Sequence, residues 1–288
     1  MKYNIHMPDQ NNNHYAQSQG LKLLESAAQK LGPIFTIRQL EPISDELQIK
    51  RTQLRSLLSL LVRSGWLETL KRGTYAVKST LFGSEISPFA IAAALVQPCA
   101  ISHWSALAQH GFTTQIPTMV QASTPSKILT PEMRTGDAHS PRGRAVWRVI
   151  GIEVEFIHVQ PRHFFGHQQL WANDWQQVAI TDPERTALDL IARSDVFGGM
   201  SAAIEILEEA LPKINTLKLI QYGLQYNTGA VIKRLGWVLE QLGVENELLV
   251  PLQTYAVTTY YRLEPQTPSN KRHNARWKII ENIGRADA

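Results

Sequence analysis

Between Lys50 and Val77 the spacing of apolar residues changes once, from a helical period to strict alternation, and that switch leaves few folds open. Leu54, Leu57, Leu58 and Leu61 recur at i, i+3, i+4 and i+7, the stripe of an amphipathic helix. Thr52, Arg55, Ser56, Ser59 and Arg63 fall on the opposite face, which carries cations and hydroxyls and no carboxylate. Ser64-Gly65 ends the helix. Trp66 to Leu70 and Thr74 to Val77 then read as two strands joined through Lys71-Arg72-Gly73. Upstream, Leu21, Leu24, Ala28 and Leu31 mark a first helix that Gly32-Pro33 stops. Thr36 is placed to cap a second, short one around Ile37 and Leu40.

Three helices followed by a hairpin with a basic tip is the order of a winged helix-turn-helix, whose third helix enters the major groove while the wing meets phosphates. In that frame Arg55 is the candidate for bidentate donation to guanine, and Thr52, Gln53 and Ser56 for base edges or phosphates. Lys50, Arg51 and Ser59 complete the helix face, and Lys71 and Arg72 are the candidate phosphate anchors. Charge agrees with this. Residues 20–78 hold ten Lys/Arg against five Asp/Glu, whereas residues 79–288 hold 18 against 19. A small basic domain joined to a neutral one points to a polyanionic partner for the first alone. The same pattern also describes an ordinary surface helix with a solvated hairpin, and winged helices also dock proteins.

At 288 residues the chain has material for two domains. The expected division is a disordered N-terminal extension over 1–19, the winged helix over 20–79 and an α+β domain over 80–288. In the last, Ser87-Pro88 opens a helix to Val96, and Ser102 caps another from His103 to His110. Met119 to Ser123, Ala145 to Ile150 and Ile152 to Gln160 read as strands around a Pro-, Ser- and Gly-rich loop over Pro125 to Gly143. Thr181 with Glu184 fits a capping box for a helix through Leu190. Further helices are expected over Met200 to Leu211, Leu217 to Tyr226 and Ala230 to Leu242, then an aromatic strand over Thr254 to Leu263. The fold class is α+β, an N-terminal winged helix-turn-helix followed by a larger mixed α+β domain.

Chemistry is sparse. The longest apolar run, Phe89 to Val96, is eight residues, far below the roughly 20 of a membrane span. The N-terminus has no apolar core of a signal peptide, and the lone Cys99 excludes an internal disulfide, so the expected compartment is the cytoplasm. His158, His163 and His167 lie close together without a metal-binding spacing. Glu153 and Glu155 share one strand face, as paired metal carboxylates do and as the wet face of an edge strand does. Asp182, Glu184 and Arg185 read as helix capping and an ion pair. No catalytic residue, metal site or cofactor is assigned, and the expectation is a protein that is not an enzyme.

The chain resembles the AbiEi antitoxin family of type IV toxin–antitoxin systems, which act in abortive infection and phage defence. The resemblance rests on Lys71-Arg72-Gly73-Thr74-Tyr75-Ala76-Val77, on Ser87-Pro88-Phe89-Ala90-Ile91-Ala92 and on Ile101 to Gly111 with Thr114-Gln115-Ile116-Pro117. It continues in Phe164-Phe165-Gly166, Thr181 to Asp189 and Lys233-Arg234-Leu235-Gly236, and spans about residues 20–280. It implies a transcriptional autorepressor that binds inverted repeats of operator duplex DNA through the winged helix. The C-terminal domain would neutralise a nucleotidyltransferase toxin, in many members without a stable complex. The Asn-rich extension and the longer stretch between Gln39 and Lys50 depart from the family pattern. Two other classes fit the residues: a winged-helix transcription factor with a small-molecule-sensing C-terminal domain, and an enzyme with a winged-helix appendage.

Overall fold

The computed structural model describes residues 10–78, 86–136, 144–268 and 272–283. Contact density divides the chain into two compact units, one comprising Met1–Gln97, Arg148–Ile152 and Trp171–Val178, the other Pro98–Trp147, Glu153–Leu170 and Ala179–Ala288.

The first unit opens with helix α1, Gln10–Leu31. The second half of the expected N-terminal extension is therefore helical, since no Gly or Pro interrupts residues 10–19 ahead of the packed turns; residues 1–9 lie outside the described residues. Gly20, Leu23, Leu24, Ala27 and Ala28 are buried along α1. Ile34–Thr36 then forms strand β1, which was not expected, because three residues are too few to show alternation. Helix α2, Ile37–Glu46, starts at the expected cap, with the Thr36 hydroxyl accepting from Gln39 N and the Gln39 side chain returning to Thr36 N at 2.8 Å. Helix α3, Arg51–Arg63, buries Leu54, Leu57, Leu58 and Leu61, the four leucines of the stripe. Strands β2, Leu67–Lys71, and β3, Thr74–Val77, close the hairpin. Gly73 carries a φ of 75° at its tip, a turn conformation that a side chain would strain. The sheet order is β1-β3-β2, with Ile34 opposite Ala76 and Thr36 opposite Thr74. A core of Leu23, Leu24, Phe35, Leu40, Ile49, the α3 leucines, Leu67 and Val77 unites these elements. Helix α4, Pro88–Leu95, follows.

The second unit is α+β. It contains β4, Ala100–Ile101, α5, His103–Gln109, and β5, Val120–Thr124. A short helix α6, Pro131–Thr135, stands inside the expected loop, of which 137–143 lie outside the described residues. Strands β6, Arg144–Val149, and β7, Ile152–His158, fall where alternation placed them. Strands β8, His167–Asn173, and β9, Gln176–Thr181, were not anticipated; none of the β8 residues is fully buried and its first three are polar, so it carries no apolar alternation. These strands form a six-stranded sheet in the order β6-β7-β5-β4-β9-β8, to which the segments Arg148–Ile152 and Trp171–Val178 counted with the first unit contribute.

Helices α7, Pro183–Ala192, α8, Met200–Ala210, α9, Thr216–Tyr226, and α10, Gly229–Gln241, make most of the remaining core. Helix α11, Asn246–Thr254, was missed because Pro251 lies within it and reads as a breaker. The expected strand over Thr254 to Leu263 shrinks to β10, Tyr261–Arg262, which joins β11, Arg272–Asn274, and β12, Ile279–Glu281, in a three-stranded sheet. Strand partners distant in sequence decide such short strands. Among the described residues no helix is long and apolar enough to cross a membrane.

Candidate nucleic-acid interface

Helix α3 faces two ways. Its leucines are buried, whereas Arg51, Thr52, Gln53, Arg55, Ser56, Ser59 and Arg63 are all exposed, as is Lys50 at its N-cap position. The helix therefore starts within one residue of the expected boundary. Gln53 also completes the start, its side-chain oxygen accepting from Lys50 N at 3.1 Å. Ser56 and Ser59 hydroxyls donate back to the carbonyls of Thr52 and Arg55, at 3.4 and 3.0 Å, and keep their lone pairs for an outside donor.

The cations differ in availability. Arg51 pairs with Glu41 of α2 at 3.3 Å on an exposed surface, a contact of small energetic weight. Arg55 and Arg63 make no ion pair among the described residues. They line a groove of about 590 Å³ with Ser56, Leu58, Ser59, Val62, Thr69 and Tyr75, between α3 and the sheet. No carboxylate contributes to that lining. A groove with two guanidinium groups, three hydroxyl residues and a phenol suits an anionic, hydrogen-bond-accepting ligand.

The hairpin tip separates its two cations. Arg72 is exposed in the turn. Lys71 ends β2, is half-buried and donates from Nζ to the carbonyl of Leu95 at 2.9 Å. That carbonyl belongs to the last turn of α4, where the helix dipole favours a cation. Equal roles for Lys71 and Arg72 were the expectation from sequence; the structure places one at the surface and engages the other.

In the second unit the polar residues are largely absorbed by one another. Asp182, not Thr181, caps α7, its carboxylate accepting from Arg185 N at 2.8 Å and from the Tyr222 hydroxyl at 2.7 Å. The Thr181 hydroxyl meets that of Thr186 instead, at 2.8 Å. Glu184 accepts from Asn215 N and Lys218 Nζ; burial works to raise its pKa, but these donors outweigh burial and hold it low. Arg185 and Asp189, 2% and 1% exposed, form an ion pair of 2.9 Å, with the guanidinium over the Phe165 and Tyr226 rings. Burial pushes Asp189 up against the pull of Arg185. Ser102 stands at the start of α5, but its hydroxyl contacts His103 Nδ1 at 2.7 Å rather than capping.

His163 stacks on Tyr226 with ring centres 3.8 Å apart, His167 meets Phe164 at a tilt with centres 4.3 Å apart, and no group of metal-binding side chains forms among the described residues. Burial, then Arg185, lowers His167 to about 4 against the pull of Asp182. Glu155 accepts from Gln121 Nε2 at 2.7 Å and lies 3.6 Å from Arg144 Nε. Its strand is interior, between β6 and β5, not the edge that alternating acids suggested. Cys99 is half-buried.

With this geometry in view, comparison with known proteins singles out the first unit. Residues 22–78 match the family model of the transcriptional regulator AbiEi antitoxin. The match runs from α1 to the residue after β3, so the matched segment contains α3, the groove and the wing. It agrees with the family that the motifs resemble, although the resembling stretches at Ser87–Ala92, Ile101–Gly111 and Thr181–Asp189 lie beyond it. Among solved structures, the RV2827C protein from Mycobacterium tuberculosis aligns with a TM-score of 0.60 at 15% identity, covering 92% of each chain. At that identity the likeness is one of fold. No curated protein sequence matches the chain significantly. Within the matched segment the helical spacing already puts Arg63 on the polar face, whereas Thr69 and Tyr75 join the groove only through the pairing of β2 with β3.

Proposed function

We propose that this chain is an antitoxin and transcriptional autorepressor that binds operator duplex DNA through α3 and the wing. Its second unit would neutralise a nucleotidyltransferase toxin. The observation that carries the DNA reading is the carboxylate-free groove holding Arg55 and Arg63 inside the segment that matches AbiEi regulators. In this reading the N-terminal half of α3, with Thr52, Gln53, Arg55 and Ser56, faces base edges. Ser59 and Arg63 follow the phosphate backbone along the groove, and Lys50 and Arg51 flank it at the helix start. Arg72 supplies the wing's phosphate contact, and Lys71 supports the wing through Leu95. The toxin assignment rests on the family alone, and so do inverted-repeat operators, phage defence and a cytoplasmic site of action.

The full-length chain tests both halves at once. Arg55→Glu with Arg63→Glu should abolish binding to the chain's own promoter in gel-shift titrations while preserving growth rescue on co-expression with the neighbouring nucleotidyltransferase. Retained promoter binding removes α3 from the interface. Absence of rescue by the wild-type chain removes the antitoxin reading.

One observation favours the ligand-sensing alternative. Trp104, Ile116, Pro117, Met119 and Val196 line an open cleft of about 420 Å³ together with Gln115, Thr118, Gln121 and Glu155, apolar side chains joined by convergent polar groups. Promoter binding that changes when a small-molecule panel quenches Trp104 fluorescence would move that reading ahead.

A further inference from the structure

Residues 79–288 are close to neutral in sum, yet the small C-terminal sheet of the second unit carries an exposed cluster of cationic and aromatic side chains. In register, Arg262 of β10 lies beside Ile280 of the central β12, which lies beside His273 of β11. Alternation then puts Arg262, Ile280 and His273 on one face, and Tyr261, Leu263, Ile279, Glu281, Arg272 and Asn274 on the other. Tyr260 and Lys278, each one residue ahead of its strand, join the first face through contacts with His273 and with each other. The second face is the core side: Leu263 and Ile279 are fully buried. Trp277 packs so closely on α10 that a Cβ at Gly236 would stand 2.0 Å from its ring.

The carboxylates of this segment are used on the inside. Glu264 accepts from Met200 N at 2.7 Å, and Glu281 accepts from the Trp237 indole and the Asn274 amide, both at 3.0 Å. Arg276 is matched by Glu240 at 2.8 Å. What remains outside is cationic and aromatic. Lys278 holds its ammonium 4.9 Å from the Tyr260 ring centre, from a left-handed backbone with φ of 53°. Tyr260 meets His273 edge to face at 5.1 Å. Arg262 makes no side-chain hydrogen bond or ion pair among the described residues.

We propose that this outer face binds single-stranded nucleic acid, with bases stacking on Tyr260 and His273 and phosphates meeting Arg262 and Lys278. Exposed aromatics flanked by cations accept a base through its π face, which a paired and stacked base does not offer. Three strands span about 10 Å, room for roughly two nucleotides of an extended strand. A left-handed residue without a glycine marks a conformation that its surroundings must hold, and here it brings the ammonium over the ring. This surface belongs to the second unit and α3 to the first, and the two would serve different forms of nucleic acid.

Fluorescence anisotropy of the full-length protein with labelled short oligo(U), oligo(dT) and a blunt duplex tests it. The wild type should bind both single strands saturably at low salt. Tyr260→Ala should weaken that binding about tenfold, and Tyr260→Phe should retain it. Arg262→Ala with Lys278→Ala should weaken it and flatten its salt dependence, with duplex binding and melting curves unchanged. Should Tyr260→Ala fail to fold, His273→Ala provides the same stacking test. Three outcomes overturn the proposal: no single-strand binding, equal binding by Tyr260→Ala and His273→Ala, or loss of single-strand binding in Arg55→Ala.

Discussion

Helices α3 and α7 are both short amphipathic helices that carry arginines, and they dispose of them in opposite ways. In α3, Arg55 and Arg63 project from the polar face into a groove without carboxylates. In α7, Arg185 is buried, paired with Asp189 at 2.9 Å and covered by Phe165 and Tyr226. A guanidinium left at the surface keeps its hydration and can exchange it for phosphate or a base edge. One taken inside must recover its solvation from a carboxylate and from ring faces. The same residue type therefore reads as binding capacity in one unit and as architecture in the other, and burial is what distinguishes them.

The largest expected effect tests the buried side. Arg185→Met leaves the Asp189 carboxylate buried without its partner and should cost about 3–5 kcal/mol in chemical denaturation. Arg185→Met with Asp189→Leu should recover most of that, since removing both charges removes the need for pairing. A single variant as stable as wild type would show that α7 does not depend on the pair.

Arg55→Ala tests the exposed side. It should change stability by no more than about 0.5 kcal/mol, yet weaken operator binding by about 1–3 kcal/mol and relax preference at one base pair. A loss of stability with unchanged DNA binding would reverse the contrast between the two helices.

Acid provides a third probe, confined to the second unit. The folded chain lowers the His167 pKa to about 4, chiefly by burial and then by Arg185. Between the ordinary imidazole value of about 6.5 and that lowered value, the unfolded chain takes up a proton that the folded chain refuses. Stability is thus complete above this window and falls as pH drops through it, by about 1–2 kcal/mol near pH 5. His167→Gln should flatten the denaturation profile over that range. A profile as steep in the variant as in the wild type would assign the loss to other groups.

The smallest effect separates the two wing cations. Arg72→Ala should reduce the slope of log affinity against log salt by about one unit. Lys71→Ala should change it less, because its ammonium already serves the Leu95 carbonyl. Equal slopes would mean that Lys71 leaves Leu95 when DNA arrives.

The local periodicities were sufficient for much of the fold. The α3 leucine stripe, the Thr36 cap with Gln39, the basic hairpin and helices α8 to α10 follow from residues within one or two turns of each other. Backbone hydrogen bonds in helices and tight hairpins close over short stretches, so their signals are local. Strand β1 exists because β3 pairs with it, and β10 because β12 does, and neither partner is near in sequence. Pro251 sits in α11 against the local rule. The candidate site divides in the same way. That α3 would show cations and hydroxyls was legible in its spacing. Engagement of Lys71 by α4, the groove that gathers Thr69 and Tyr75 beside Arg55, and the inward turn of Glu264 and Glu281 were decided only by tertiary contacts. A charged side chain's availability depends on which partners the folded chain brings within hydrogen-bond reach, and its own sequence neighbours do not set that.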